Sequence, residues 1–282
     1  MIEIDDFPLS PSRVADARRF YEAFITARQM FAKLPAKGRL KESANALHDL
    51  TLHLYQRGTK SDALFRASLG AADALAGIWL SQVRSVAQWT VLAGEMPPYG
   101  GVTKGLMRSL ATLTVEVENV VRLPQILRDL GIILVHQPAI PTAKVDGCAF
   151  LLGDGRPVIA LSLRYTRLDY YWFTVMHELA HLCLHEGQLF SPILDDLDEP
   201  ESAVIEVQAN MLARDSLIPR NVWRSCPAKY SLREEDVVAF ADSVNVAPQI
   251  VAGRLRKELR RHDLFSGLVH QYNVREILNR DA

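Results

Sequence analysis

Between Pro11 and Phe31 the apolar residues Val14, Ala17, Phe20, Tyr21, Phe24 and Phe31 return at helical spacing, with charged residues in the gaps. The pattern predicts an amphipathic helix. A second helical stretch carries Leu40, Ala44, Leu47, Leu50 and Leu54. A third opens at the cap-like pair Ser61 and Asp62 and runs through alanine-rich sequence toward Trp89. Glycine and proline then gather in AGEMPPYGGVTKG, residues 93–105, which reads as a loop and a boundary.

Beyond that loop the period changes. Pro124 is placed to open a short helix, QILRDL, and Gly131 to close it before the apolar run IILV, a strand. CAFLL and PVIALSL read as two more strands separated by the turn GDG. Next comes a long apolar helix, YYWFTVMHELAHLCLH, ended by Gly187. An acidic, proline-containing loop leads to a helix from about Ser202 to Leu217, stopped by Pro219. Helices, short strands and then helices make an α+β fold rather than a βαβ alternation. The stretch SLREEDVVAFADSVNVAPQIVAGRLRKEL predicts two helices around a turn at Asn245 to Pro248, the outline of a helix-turn-helix. The expected organisation is a helical N-terminal regulatory or partner-binding region (1–105), an α+β domain (106–225), a helix-turn-helix-like segment (226–262) and a C-terminal tail (263–282).

Composition narrows the class. In 282 residues, 49% hydrophobic, a sizeable core is expected, and a net charge of -1 argues against a whole-molecule footprint for nucleic acid or anionic lipid. Three scattered cysteines, Cys148, Cys183 and Cys226, form neither a disulfide framework nor a metal-binding spacing. The start MIEIDDFPLSPS lacks the features of a signal peptide, and no run approaches the roughly 20 apolar residues that span a bilayer. A cytoplasmic protein with no membrane partner is expected.

The chemistry concentrates in His177, Glu178, Leu179, Ala180 and His181, which spell HExxH. Residues four apart share a helical face, so both imidazoles can reach one ion, and Glu178 beside them can take a proton from a water that the ion polarises. Three ionisable groups among Val175, Met176, Leu179, Ala180 and Leu182 cost several kcal/mol to bury without a partner, which a metal offsets. The third ligand is assigned to Glu206, which shares a face with Ala209, Asn210, Ala213 and Leu217, with Gln208, Arg214 and Asp215 on the more polar side, whereas a solvated role suits Glu201 better. Asn210, one turn later, is placed to orient a ligand imidazole, with ordinary helix packing as its alternative. Zinc is the expected ion, with manganese as the alternative; the strand PVIALSL just before the HExxH helix is expected to offer an exposed edge on which an extended peptide pairs by strand addition.

Several features have a plainer reading. His185 is expected to support the site rather than ligate. An oxyanion stabiliser is left open among Tyr165, Tyr170, Tyr171 and Tyr230. The acidic loop 195–201 reads as solvated, and the basic stretch GRLRKELRRH, 253–262, as a solvated face or a partner surface, with direct DNA binding left open. Cys148 and Cys183 read as apolar packing rather than as thiolates on the open metal position.

HELAHLCLH followed by EVQANMLARDSLIP resembles the ImmA/IrrE family of zinc-dependent peptidases, and the likeness extends upstream through VDGCAFLLGDGRPVIALSLRYTRLDYYWF. It covers roughly residues 120–260 and is similar above all to the C-terminal part of HigA-type antitoxin regulators. The resemblance implies a zincin-like core, a gluzincin-like ligand set of His177, His181 and Glu206, and Glu178 as base. It also implies an endopeptidase that cleaves a transcriptional repressor or antitoxin-like protein in a stress, phage or toxin-antitoxin response. The alternative is a non-proteolytic regulator that keeps the metal for structure. Two departures stand out: the first 60 residues show no Xre-type helix-turn-helix, and Leu212 stands where many members have phenylalanine.

Overall fold

Strands β1 (Ile133–His136), β2 (Gly147–Leu151), β3 (Pro157–Leu161) and β4 (Ile193–Asp195) form one sheet in the order β1-β3-β2-β4. β3 runs parallel to β1 and antiparallel to β2, and β4 pairs antiparallel with β2. The sequence PVIAL is buried at every position, as a strand flanked on both sides requires. The computed structural model describes residues 11–32, 43–57, 71–190, 192–195 and 204–280. Leu40, the pair Ser61 and Asp62, Glu201, Ser202 and most of the acidic loop lie outside the described residues.

The chain divides into two units, Met1–Ser85 with Ile140–Lys144, and Val86–Ala139 with Val145–Ala282. In the first, α1 (Pro11–Ala32) and α2 (Ser43–Arg57) bury Ala23, Ala27, Ala46 and Leu50. The rings of Phe20 and Tyr55 meet edge to face at 5.6 Å. The division falls inside α3 (Ala71–Leu92), in which Ala74, Leu75, Ala76, Ile78, Trp79 and Leu80 are buried.

The second unit has one continuous core, from Val102 and Met107 through Trp172 and Ile250 to Val274. Residues 95–103 are irregular, and Thr103 Oγ1 accepts from Leu106 N at 3.1 Å to start α4 (Lys104–Ala111), a helix whose first two residues the glycine and proline pattern had assigned to the loop. Arg108 of α4 donates to the carbonyls of Ser216 (3.0 Å) and Leu217 (2.6 Å), the last of α7 (Val204–Leu217). Those carbonyls have no partner within their own helix, and a cation there also suits the helix dipole.

Pro124 lies inside α5 (Asn119–Arg128) rather than at its start, where the sequence reading placed it. A proline there leaves the Val120 carbonyl without its amide partner. Tyr171 of α6 (Leu168–Leu184) donates its hydroxyl to that carbonyl at 3.5 Å, and His136 Nε2 stands 3.1 Å from the same hydroxyl. The price of the proline is thus met by a fully buried tyrosine. After α5 the chain turns at Gly131 (φ 76), where a Cβ would lie 2.8 Å from the backbone of Tyr99.

After the short helices α8 (Arg220–Arg224) and α9 (Ala228–Ser231), helices α10 (Glu234–Val244) and α11 (Pro248–Leu259) are joined at the left-handed Asn245, and Val237, Phe240, Val251 and Leu255 belong to the same core. α11 packs on the start of α6, where Gly253 receives the Asp169 side chain and a Cβ would collide with its Oδ2. Among the described residues no helix is long and apolar enough to cross a membrane.

Candidate metal centre

Apolar side chains surround α6 on all sides, so His177, Glu178 and His181 end with no solvent exposure. Across from them, α7 presents the small residues Ala209 and Ala213, which let the two helices approach and bring Glu206 over the histidines. His177 Nε2 lies 3.0 Å from His181 Nε2 and 3.2 Å from Glu206 Oε2, and His181 Nε2 lies 3.6 Å from Glu206 Oε1. Among the described residues these three form the group of histidine, cysteine and acidic side chains able to hold a metal ion. The Glu206 side chain is 23% exposed, so the group opens to solvent on the α7 side.

The outer ring nitrogens explain which atoms face inward. His177 Nδ1 lies 3.2 Å from Asn210 Oδ1, an acceptor, so Nδ1 carries the proton and Nε2 presents a lone pair. His181 is set by a longer chain. His185 Nε2 stands 3.0 Å from Gln208 Oε1 and donates to it, which leaves His185 Nδ1 to accept from His181 Nδ1 at 3.1 Å. Two lone pairs and a carboxylate therefore converge. Donors at about 2.0 to 2.1 Å around a tetrahedral ion are separated by about 3.3 Å, and the three observed separations bracket that value. A cation fits the donor set and relieves repulsion between the facing lone pairs.

Glu178, beside His177 in the sequence, lies against the sheet. Its carboxylate lies against Gly147 of β2, where a Cβ would collide with Oε1 and come within 2.9 Å of Thr174 Cγ2. A side chain at position 147 would displace the carboxylate. Sequence reasoning passed over both Gly147 and Gln208. The signal for Gly147 was a glycine opening an apolar strand, which marks close approach of another group. Gln208 left no such signal, because it was assigned to the polar side of its helix.

Other candidates resolve by position. Tyr171 is fully buried and committed to Val120, so it leaves the set of oxyanion candidates. Burial pushes its hydroxyl well above the usual tyrosine range. Tyr165 and Tyr170 stack on each other at 4.6 Å, and each carries an arginine over its ring, Arg164 and Arg167. Cys148 follows Gly147 on β2 and so faces the opposite side of the sheet from Glu178. Burial raises the Cys183 thiol above its ordinary value, which disfavours a thiolate.

β3, expected to offer a free edge for strand addition, is instead interior, because β1 and β2 occupy both its sides. The edge beside Gly147 belongs to β4, whose Asp195 pairs with Gly147. The basic stretch 253–262 is not simply a solvated face either, since Arg256 is 5% exposed and donates to the carbonyls of Leu264 and His262.

Comparison with curated proteins and with solved structures gives no match. Residues 131–256 match the family model Peptidase_M78, the IrrE N-terminal-like domain, a span that holds the strands, the HExxH helix, the glutamate helix and nearly all of α11. Over that span, less than half of the chain, the protein is therefore similar to the IrrE N-terminal-like domain of metallopeptidases.

Proposed function

We propose that the chain is a zinc-dependent endopeptidase in which His177, His181 and Glu206 hold the ion and Glu178 is the general base. The carrying observation is the convergence of two oriented imidazole Nε2 atoms and the Glu206 carboxylate, one residue from a carboxylate seated on Gly147. When bound, the ion supplies Lewis-acid polarisation and makes a water acidic enough to lose a proton near neutral pH. Asn210 and the His185–Gln208 chain hold the imidazoles in the tautomer that ligation needs. Glu178 accepts the water proton and returns it to the amide nitrogen as the peptide bond breaks. Burial of Glu178 keeps bulk water from competing for that proton.

An extended segment of a protein substrate can pair with the outer edge of β4, one strand from the Glu178 carboxylate. Similarity to the IrrE N-terminal-like domain together with the HELAHLCLH and EVQANMLARDSLIP motifs supports a DNA-binding repressor or antitoxin-like protein as that substrate. The decisive experiment incubates the metal-loaded protein with the product of the adjacent gene, beside the Glu178→Gln variant. Cleavage by the parent and none by the variant, at equal metal content, is the expected result. Equal cleavage by both removes Glu178 as base. Metal binding without cleavage in either leaves the non-proteolytic regulator as the reading.

A further inference from the structure

Away from the metal centre, a cleft of about 530 Å³ opens between the start of α6, the end of α7 and α11. Six cationic side chains line it, Arg167, Arg214, Arg254, Arg256, Lys257 and Arg260, against two carboxylates, Asp169 and Glu258. In a chain of net charge -1 this is a strong local excess. Its apolar surface comes from Phe173, Leu217, Ile218 and Ile250. The Lys257 ammonium sits over the Phe173 ring at 5.4 Å, and that ring lies 6.3 Å from the His177 ring.

Much of the positive wall is fixed by the fold. Arg254 donates to Ile218 O and to Glu258 Oε1, both at 3.0 Å, and lies over the Trp223 ring at 4.3 Å. Arg167 forks onto Asp169, which is itself seated on Gly253. Burial holds both Arg254 and Arg256 below the usual arginine range; Glu258 offsets this at Arg254 more than Arg214 adds to it, and Arg167 adds to it at Arg256. Lys257 and Arg260 remain exposed at the mouth.

We propose that this cleft binds a nucleoside di- or triphosphate, its phosphates among the guanidinium and ammonium groups and its base against the Phe173 and Ile218 surface. The Arg260 guanidinium and Lys257 ammonium at the mouth suit phosphate oxygens, and a polyanion offsets the excess of six cations over two carboxylates. The volume falls within the roughly 300 to 1,000 Å³ of small-molecule sites. A nucleic-acid polymer would need an extended basic track, whereas Arg254 and Arg256 are turned inward. An acidic protein segment would meet Asp169 and Glu258 on the same walls.

The test is calorimetric titration of the full chain, metal-loaded and chelator-treated, with ADP, ATP, adenosine, pyrophosphate and a glutamate-rich peptide. ADP or ATP is expected to bind equally in both metal states, and adenosine and pyrophosphate each at least tenfold more weakly. Lys257→Glu combined with Arg260→Glu should weaken nucleotide binding at least tenfold, about 1.4 kcal/mol, with an unchanged unfolding midpoint. No binding at about 1 mM nucleotide overturns the proposal. So does binding lost on chelation, which would place the phosphates on the active-site metal. Indifference to the charge reversal, pyrophosphate binding as tightly as ADP, or tighter binding of the peptide would each overturn it as well.

Discussion

Gly147 and Glu178 share one volume: the carboxylate of the HExxH helix occupies the space that any side chain at position 147 would need. Gly147→Ala should therefore act on the proposed base and leave the proposed ligands in place. Forcing the carboxylate aside by about an ångström is expected to cost roughly 100-fold in cleavage rate, and the overpacking about 1 to 3 kcal/mol in stability. Metal content should match the parent. Cleavage assays, thermal unfolding and metal analysis on one preparation check this, and an alanine variant of full activity would show that the seat is unimportant.

His181 depends on partners outside the proposed ligand set. Replacing His185 by Ala, or Gln208 by Ala, removes the acceptor chain that keeps the His181 Nδ1 proton in place. Metal affinity should fall by about 10- to 100-fold in either variant, read by competition with a chromophoric chelator. The double variant should lose little more than the worse single one, because both act through one ring.

The Tyr171 hydroxyl serves the carbonyl that Pro124 strands. Tyr171→Phe should lower stability by about 1 to 3 kcal/mol, the cost of a buried acceptor left without a donor. Pro124→Ala supplies an amide to Val120, so in that background the same change should cost measurably less. Denaturant unfolding of the four proteins gives the coupling, and a coupling of zero would disprove it.

Burial holds the His136 imidazole down at about 4, from an ordinary 6.5. Between those values the unfolded chain binds a proton that the folded chain refuses, so stability falls as the pH drops through this window and is untouched above it. The loss amounts to at most about 3 kcal/mol by pH 4. His136→Asn should flatten that part of the stability profile, measured as the urea midpoint against pH.

Features that follow helical periodicity were legible in the chain alone. His177, His181, Glu206 and Asn210 sit one turn apart on their helices, and local geometry carries each pair to one face. What depends on distant partners was not. PVIALSL looked like an edge because nothing local says that β1, some two dozen residues earlier, closes its far side in parallel. Pro124 read as a helix start because its usual cost is offset by Tyr171, almost fifty residues away. Arg254 and Arg256 looked solvated because their carbonyl partners belong to other elements.

Arg108 bears on where this protein can be cut. Its guanidinium closes the end of the glutamate helix from a position 108 residues before Ser216 and outside the segment 131–256 that matches the family. A fragment trimmed to the family boundaries would leave the carbonyls of Ser216 and Leu217 bare and the helix that carries Glu206 frayed at its end. The segment that matches the family thus leaves out a cap on the helix that carries Glu206, and a fragment that keeps both Arg108 and the Thr103 cap of its helix begins at or before Thr103.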